Sequence, residues 1–168
     1  MHFGAVDWKA EVWVNDVKVG EDTGGFTPFY FDITSVLNKG NNDLVVKVWD
    51  PSDRGEQPRG KQIANPHGIW YTPVTGIWQT VWLEPVATQY ITNLKTTPDI
   101  DNNSVKVEVA ANTTSADKVE VKVFDGKNLV AKGAALNGVP VELAMPTNAK
   151  LWSPDSPFLY NMEVTLYT

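Results

Sequence analysis

The sequence contains no cysteine, which excludes disulfide staples, thiolate catalysis and cysteine-ligated metal sites. Its two histidines, His2 and His67, are too few for a multi-histidine metal cluster. No acid–serine arrangement accompanies His67, so a hydrolytic triad is not read from it. There are only two arginines, Arg54 and Arg59, and the net charge is -6. A phosphate backbone needs a basic face, and none is written here, so no nucleic-acid partner is expected. No apolar run approaches the roughly 20 residues of a bilayer-spanning helix, so no membrane partner is expected. The opening Met1-His2-Phe3-Gly4 has neither a basic nor an apolar leader region, and no signal peptide is read from it. No window of a dozen residues carries a helical stripe; one turn at Ile33–Leu37, capped by Asp32 or Thr34, is the best candidate.

What remains is a chain that is 42% hydrophobic and 11% aromatic, enough for packed cores. Its periodicity is two. Val105, Val107 and Val109 alternate with lysine and glutamate; Val119, Val121 and Val123 do the same, as do Met162, Val164 and Leu166. These segments read as half-buried strands. Leu44–Trp49 is partly apolar on both faces. Asn15-Asp16 reads as a hairpin turn between Glu11–Val14 and Val17–Gly20, and Asp125-Gly126 as another. Short strands punctuated this way predict β-sandwiches. Six of the seven tryptophans precede residue 86, and Pro85 interrupts strand pairing, so a domain boundary is placed there, giving 1–86 and 87–168. In the second domain Val105, Val107, Val109, Val119, Val121, Val123 and Leu143 are the expected core. Glu120 and Lys122 are expected to face water.

The segment from Asp50 to Gly68 has no alternation. It holds both arginines, Lys61, Asp50, Asp53 and Glu56, and three prolines, and Trp70 and Tyr71 follow it. Long structured loops of this content are often functional. Aromatic faces beside charged groups bind sugars, because pyranose C–H faces stack on rings while hydroxyls meet polar side chains. Asp50, Asp53, Arg59, Lys61 and Trp70 are therefore the candidate rim residues. Two readings stand for Asp50 with Arg54, a loop-stabilising ion pair or a functional group. Arg59 and Lys61 face either a ligand or a neighbouring domain. Asp50 and Asp53 read as a structural or cation-holding pair before a catalytic one, and no metal site is assigned. Trp13, Trp49, Trp78 and Trp82 lie within strands and read as structural.

Several motifs occur in order. His2-Phe3-Gly4-Ala5-Val6-Asp7-Trp8 precedes Val12-Trp13-Val14-Asn15. Gly24-Gly25-Phe26-Thr27-Pro28-Phe29 and Phe31-Asp32-Ile33-Thr34 follow, then Asn42–Val48 and Gly76-Ile77-Trp78-Gln79-Thr80-Val81-Trp82-Leu83-Glu84-Pro85. This series resembles the N-terminal sugar-binding domain of family 2 glycoside hydrolases, the β-galactosidase, β-glucuronidase and β-mannosidase group. Residues 87–168, with Leu151-Trp152-Ser153-Pro154-Asp155-Ser156-Pro157-Phe158-Leu159-Tyr160, resemble that family's immunoglobulin-like domain. The resemblance implies an all-β chain, a partial jelly roll followed by an immunoglobulin-like sandwich. It also implies a parent glycosidase whose two catalytic glutamates lie on a (β/α)₈ barrel outside these residues.

This chain is accordingly expected to be a non-catalytic accessory region that helps shape the sugar-binding rim, with no catalytic residue of its own. The implied partners are a β-glycoside in the parent enzyme and the barrel domain, and no cofactor is implied. Many members of the family carry a jelly-roll acid that reaches the sugar, yet no Asp or Glu lies between Glu56 and Glu84 here. An independent carbohydrate-binding module and a purely structural sandwich pair remain as alternatives. A jelly roll missing its opening strands is expected to leave Trp13, Trp49 and Trp82 uncovered and to self-associate through exposed strand edges. The family fits a periplasmic or extracellular parent.

Overall fold

A computed structural model describes residues 1–113 and 118–167. Among them there is no α-helix. The chain divides into two compact units, Met1–Pro85 and Val86–Thr168.

The first unit contains β1 (His2–Phe3), β2 (Val6–Asp7), β3 (Lys9–Val14), β4 (Val17–Thr23), β5 (Phe29–Tyr30), β6 (Leu44–Trp49), β7 (Gly76–Ile77) and β8 (Val81–Trp82). They form the antiparallel groups β4-β3-β6, β5-β1-β8 and β2-β7. Strict alternation in β3 buries Ala10, Val12 and Val14, while Lys9, Glu11 and Trp13 lie on the other face. Asn15 and Asp16 adopt φ of 50° and 65°, the left-handed pair that a two-residue turn between twisted strands requires. Phe3, Val6, Ala10 and Val12 are the buried centre, packed by Phe29, Phe31, Val46, Val48 and Val81. In place of the expected helical turn there is a single 3-10 turn, Thr34–Val36, and Asp32 Oδ1 accepts the Thr34 amide at 2.9 Å just before it.

None of the four tryptophans read as structural is buried: Trp13 is half-buried, and the exposure of Trp49 and Trp82 is the one expected for them. Trp49, Trp78 and Trp82 are 58%, 51% and 42% exposed. The reason is register. Trp49 pairs across from Lys9, so it shares the outer face of β3 and β6 with Glu11 and Lys47. His2 lies between Tyr30 and Trp82 in cross-strand register, and its ring stacks on both, 5.5 and 4.9 Å between centroids. Neighbouring Phe3 and Val81 point the other way, into the core.

The second unit contains β9 (Ile91–Asp99), β10 (Ser104–Ala111), β11 (Lys118–Asp125), β12 (Asn128–Ala135), β13 (Val141–Ala144) and β14 (Asn161–Tyr167), in sheets β13-β10-β9 and β12-β11-β14. Val107, Val119, Val121, Val123, Ala131, Val141 and Leu143 form its core, and Val105 and Val109 pack at the margin. Lys122 lies on the opposite face of β11 from Val121, as expected. Glu120 shares that outer face but is only 6% exposed, against the expectation that it faces water. The lysines explain this. Lys132, Lys122 and Lys118 close over its carboxylate at 3.0, 3.3 and 3.9 Å, and their alkyl stems remove it from water.

Val121→Asp is expected to unfold residues 86–168, because an unpaired charge in that core costs several kcal/mol. Their amide resonances should collapse to unfolded positions. Glu163→Gln, which removes only the exposed partner of Lys122, should leave the urea midpoint nearly unchanged.

Candidate functional site

The two short strands β2 and β7 pair Val6 with Ile77 and Asp7 with Gly76. This pairing sets the Asp7 carboxyl beside Thr75, Trp78 and the start of the long loop. A cavity of about 330 Å³ opens there. Phe26, Val74, Ile77 and Trp78 form its apolar side, and Asp7, Gln62 and Thr75 its polar side. The Phe26 and Trp78 rings meet edge to face, 5.8 Å between centroids. Trp78 is fixed in place because its indole Nε1 donates to the Gly25 carbonyl at 2.7 Å. Gly25 turns that carbonyl toward the indole at φ 65°, a conformation suited to glycine. A Cβ at Gly25 would also stand 3.2 Å from Asp7 Oδ1.

The adjoining notch is lined by Asp7, Asp50, Ser52, Arg59 and Gln62, among others. Asp50 is fully engaged. Its Oδ1 accepts the Ser52 amide and its Oδ2 the Thr75 hydroxyl, both at 2.7 Å. It makes no ion pair with Arg54 among the described residues, so of the two readings of that pair the ion-pair one fails. Asp53 organises the loop: its Oδ2 accepts the Ala64 amide and its carbonyl accepts Arg59 Nη1, both at 3.0 Å. Gln62 Oε1 accepts the Val74 amide at 2.6 Å, and Gln62 forms a parallel bridge with Tyr71. The Lys61 ammonium lies 6.0 Å from the Tyr71 ring centroid. Trp70 donates its amide to His67 O at 3.0 Å and is 38% exposed. Of the five candidates read from the sequence, the structure thus brings Asp50 and Arg59 to the notch. Asp53 holds Arg59, while Lys61 and Trp70 do not line either depression.

Asp7 is the residue the sequence reading missed. It is half-buried and lines both depressions, and its side chain forms no hydrogen bond or ion pair among the described residues. Burial, with the negative charge of Asp50 added, raises the pKa of its carboxyl above its ordinary value. A partly buried carboxylate with empty acceptor positions beside an aromatic wall is equipped to take hydroxyl donors. It is not equipped as half of a glycosidase dyad, because Asp50 has both oxygens committed to the loop. Asp7 lies in Val6-Asp7-Trp8, an acid between two apolar residues, and that flanking was the one available signal.

Residues 1–85 match the family model for the sugar binding domain of glycosyl hydrolases family 2, and residues 89–168 match the glycosyl hydrolases family 2 model. The chain belongs to glycoside hydrolase family 2. It is 29% identical over 178 residues to a β-galactosidase of Thermoanaerobacter pseudethanolicus, covering 99% of this chain and 23% of that protein. It is 27% identical over 192 residues to a β-glucuronidase of Homo sapiens, covering 99% of this chain and 29% of that protein. A β-glucuronidase structure from Lactobacillus rhamnosus superposes with a TM-score of 0.71 at 24% identity, over 99% of this chain and 29% of that one. The chain therefore spans less than a third of the length of these relatives. The chain thus covers the family's sugar-binding and immunoglobulin-like regions, all-β throughout the described residues.

The raised Asp7 carboxyl carries a stability signature. The folded state holds that proton more tightly than the unfolded chain, so stability falls as pH rises from 3.8 through the raised folded value. Asp7→Asn removes the ionised group, so the variant is expected to melt higher than the parent sequence at pH 7. That gain should vanish below pH 3.8, as followed by thermal denaturation at several pH values.

Proposed function

We propose that this chain presents the Asp7 cavity and its adjoining loop to a β-glycoside bound by a longer parent enzyme, with the catalytic carboxylates supplied from outside these residues. The observation that carries the proposal is the lone Asp7 carboxylate facing a wall of Phe26 and Trp78. The ring faces take the apolar side of a pyranose and Asp7 accepts its hydroxyls. Asp50 keeps Thr75 and the loop entrance in place, and Arg59 edges the notch under the hold of Asp53. Lys61 and Trp70 flank the rim on the same loop, where a larger substrate or the barrel domain reaches them. A retaining glycosidase needs two free carboxyl groups about 5–5.5 Å apart, and one free carboxylate does not meet that need.

Two measurements follow. Chromogenic β-galactoside, β-glucuronide and β-mannoside should all remain intact in the presence of this chain; turnover abolished by Asp7→Asn would overturn the accessory role. Titration with methyl β-galactoside should shift the Trp78 indole N–H resonance with a Kd of about 1 mM or weaker, roughly −4 kcal/mol. Asp7→Ala should weaken that shift, while a change at Trp152, in the second unit, should not.

A further inference from the structure

Resting on the reading of the Asp7 cavity as a sugar site, we infer that this cavity takes uncharged pyranosides and discriminates against uronates. Several of the similar proteins are β-glucuronidases, so the inference separates this chain from a substrate that their names suggest.

The argument is one of charge. A uronate carries a carboxylate, and a site that welcomes it supplies a cation or a set of free donors. Among the described residues, no Lys, Arg or His lines the 330 Å³ cavity. Its one ionisable side chain is Asp7, an acid with no cationic partner. The next charge along is Asp50, a second acid, whose field already acts on Asp7. Arg59 is a cation of the adjoining notch. There one guanidinium faces two carboxylates, and its Nη1 is occupied by the Asp53 carbonyl. Lys61, the other cation of the loop, sits against Tyr71. The wider field has the same sign, since residues 1–85 hold seven Lys and Arg against eleven Asp and Glu. A second carboxylate entering beside Asp7 meets like charge in a half-buried setting, where screening is incomplete. A neutral pyranose meets only an acceptor for its hydroxyls. Two donors around the cavity are spent, the Thr75 hydroxyl on Asp50 and the Trp78 indole N–H on Gly25, which leaves the neutral side-chain amide of Gln62 and no cation.

The test uses the full 168-residue chain, methyl β-galactoside and methyl β-glucuronide, with the Trp78 indole and Gly76 amide resonances as reporters. At pH 7 and low salt the galactoside is expected to bind at least tenfold more tightly. Asp7→Asn should shrink that ratio severalfold by improving glucuronide binding, and 1 M NaCl should shrink it in the unmodified chain. Equal or tighter binding of the glucuronide would overturn the inference and leave the cavity standing as a sugar site. A ratio insensitive to both Asp7→Asn and salt would overturn it too, since the selectivity would then be one of shape. If neither glycoside moves the reporters, the sugar-site reading falls, and this inference with it.

Discussion

One hydrogen bond closes the segment on which the candidate site depends. The Thr75 hydroxyl donates to Asp50 Oδ2 at 2.7 Å across a sequence separation of 25 residues. Joining the ends of so long a loop costs chain entropy, and the cost grows only slowly with length, so a few well-placed bonds can hold it. The structure supplies them in series: Asp50 to the Ser52 amide, Gln57 to the Ser52 carbonyl, Arg59 to the Asp53 carbonyl, Asp53 to the Ala64 amide and Gln62 to the Val74 amide. Polar side chains here do the work that apolar packing does in the sandwiches. Their commitment to backbone groups is also why most of them are not free to act on a ligand.

The contrast with Asp7 is instructive. Asp50, the other acid lining the two depressions among the described residues, is satisfied from within the molecule, and Asp7 is not. A group left without a partner in a partly buried place destabilises the fold by some amount, and functional sites are where such groups collect. The surface of β3, β4 and β6 shows the opposite economy. Lys9, Lys18 and Lys47 pair with Glu11 and Glu21 at 2.9–3.6 Å in an exposed lattice. Pairs of this kind add little stability individually, but they leave no charge unanswered, and that face carries no comparable signal.

The alternating strands were legible because alternation is itself the cause of burial: Val119, Val121 and Val123 share a face, and that face packs. The Asn15-Asp16 turn was legible because few residues accept two consecutive left-handed conformations. Trp49 and Trp82 are exposed as expected, and Trp78 is exposed without that expectation, because lying near a strand does not say which face a residue takes. Asp50 and Arg59 were found by composition, as charged residues in a loop without periodicity. Asp7 was not, because β2 and β7 are two residues long and pair across most of the first unit. Two residues display no period, and their partnership is a matter of tertiary structure alone.

Those same two-residue strands have a dynamic consequence. β2 and β7 pair only Val6 with Ile77 and Asp7 with Gly76, and β7 begins at a glycine with φ of 122°. Such a ladder is among the first parts of a protein to open, since few amides and little apolar area hold it shut. The β2–β7 ladder is therefore expected to open more readily than β3, β4 and β6, with the indole bond to Gly25 as the tie that remains on Trp78. A ligand spanning Asp7 and Trp78 bridges the two strands and adds the crosslink that their hydrogen bonds barely supply. If the proposed sugar binds there, occupancy and local order are one equilibrium, and the filled cavity is the stiffer one.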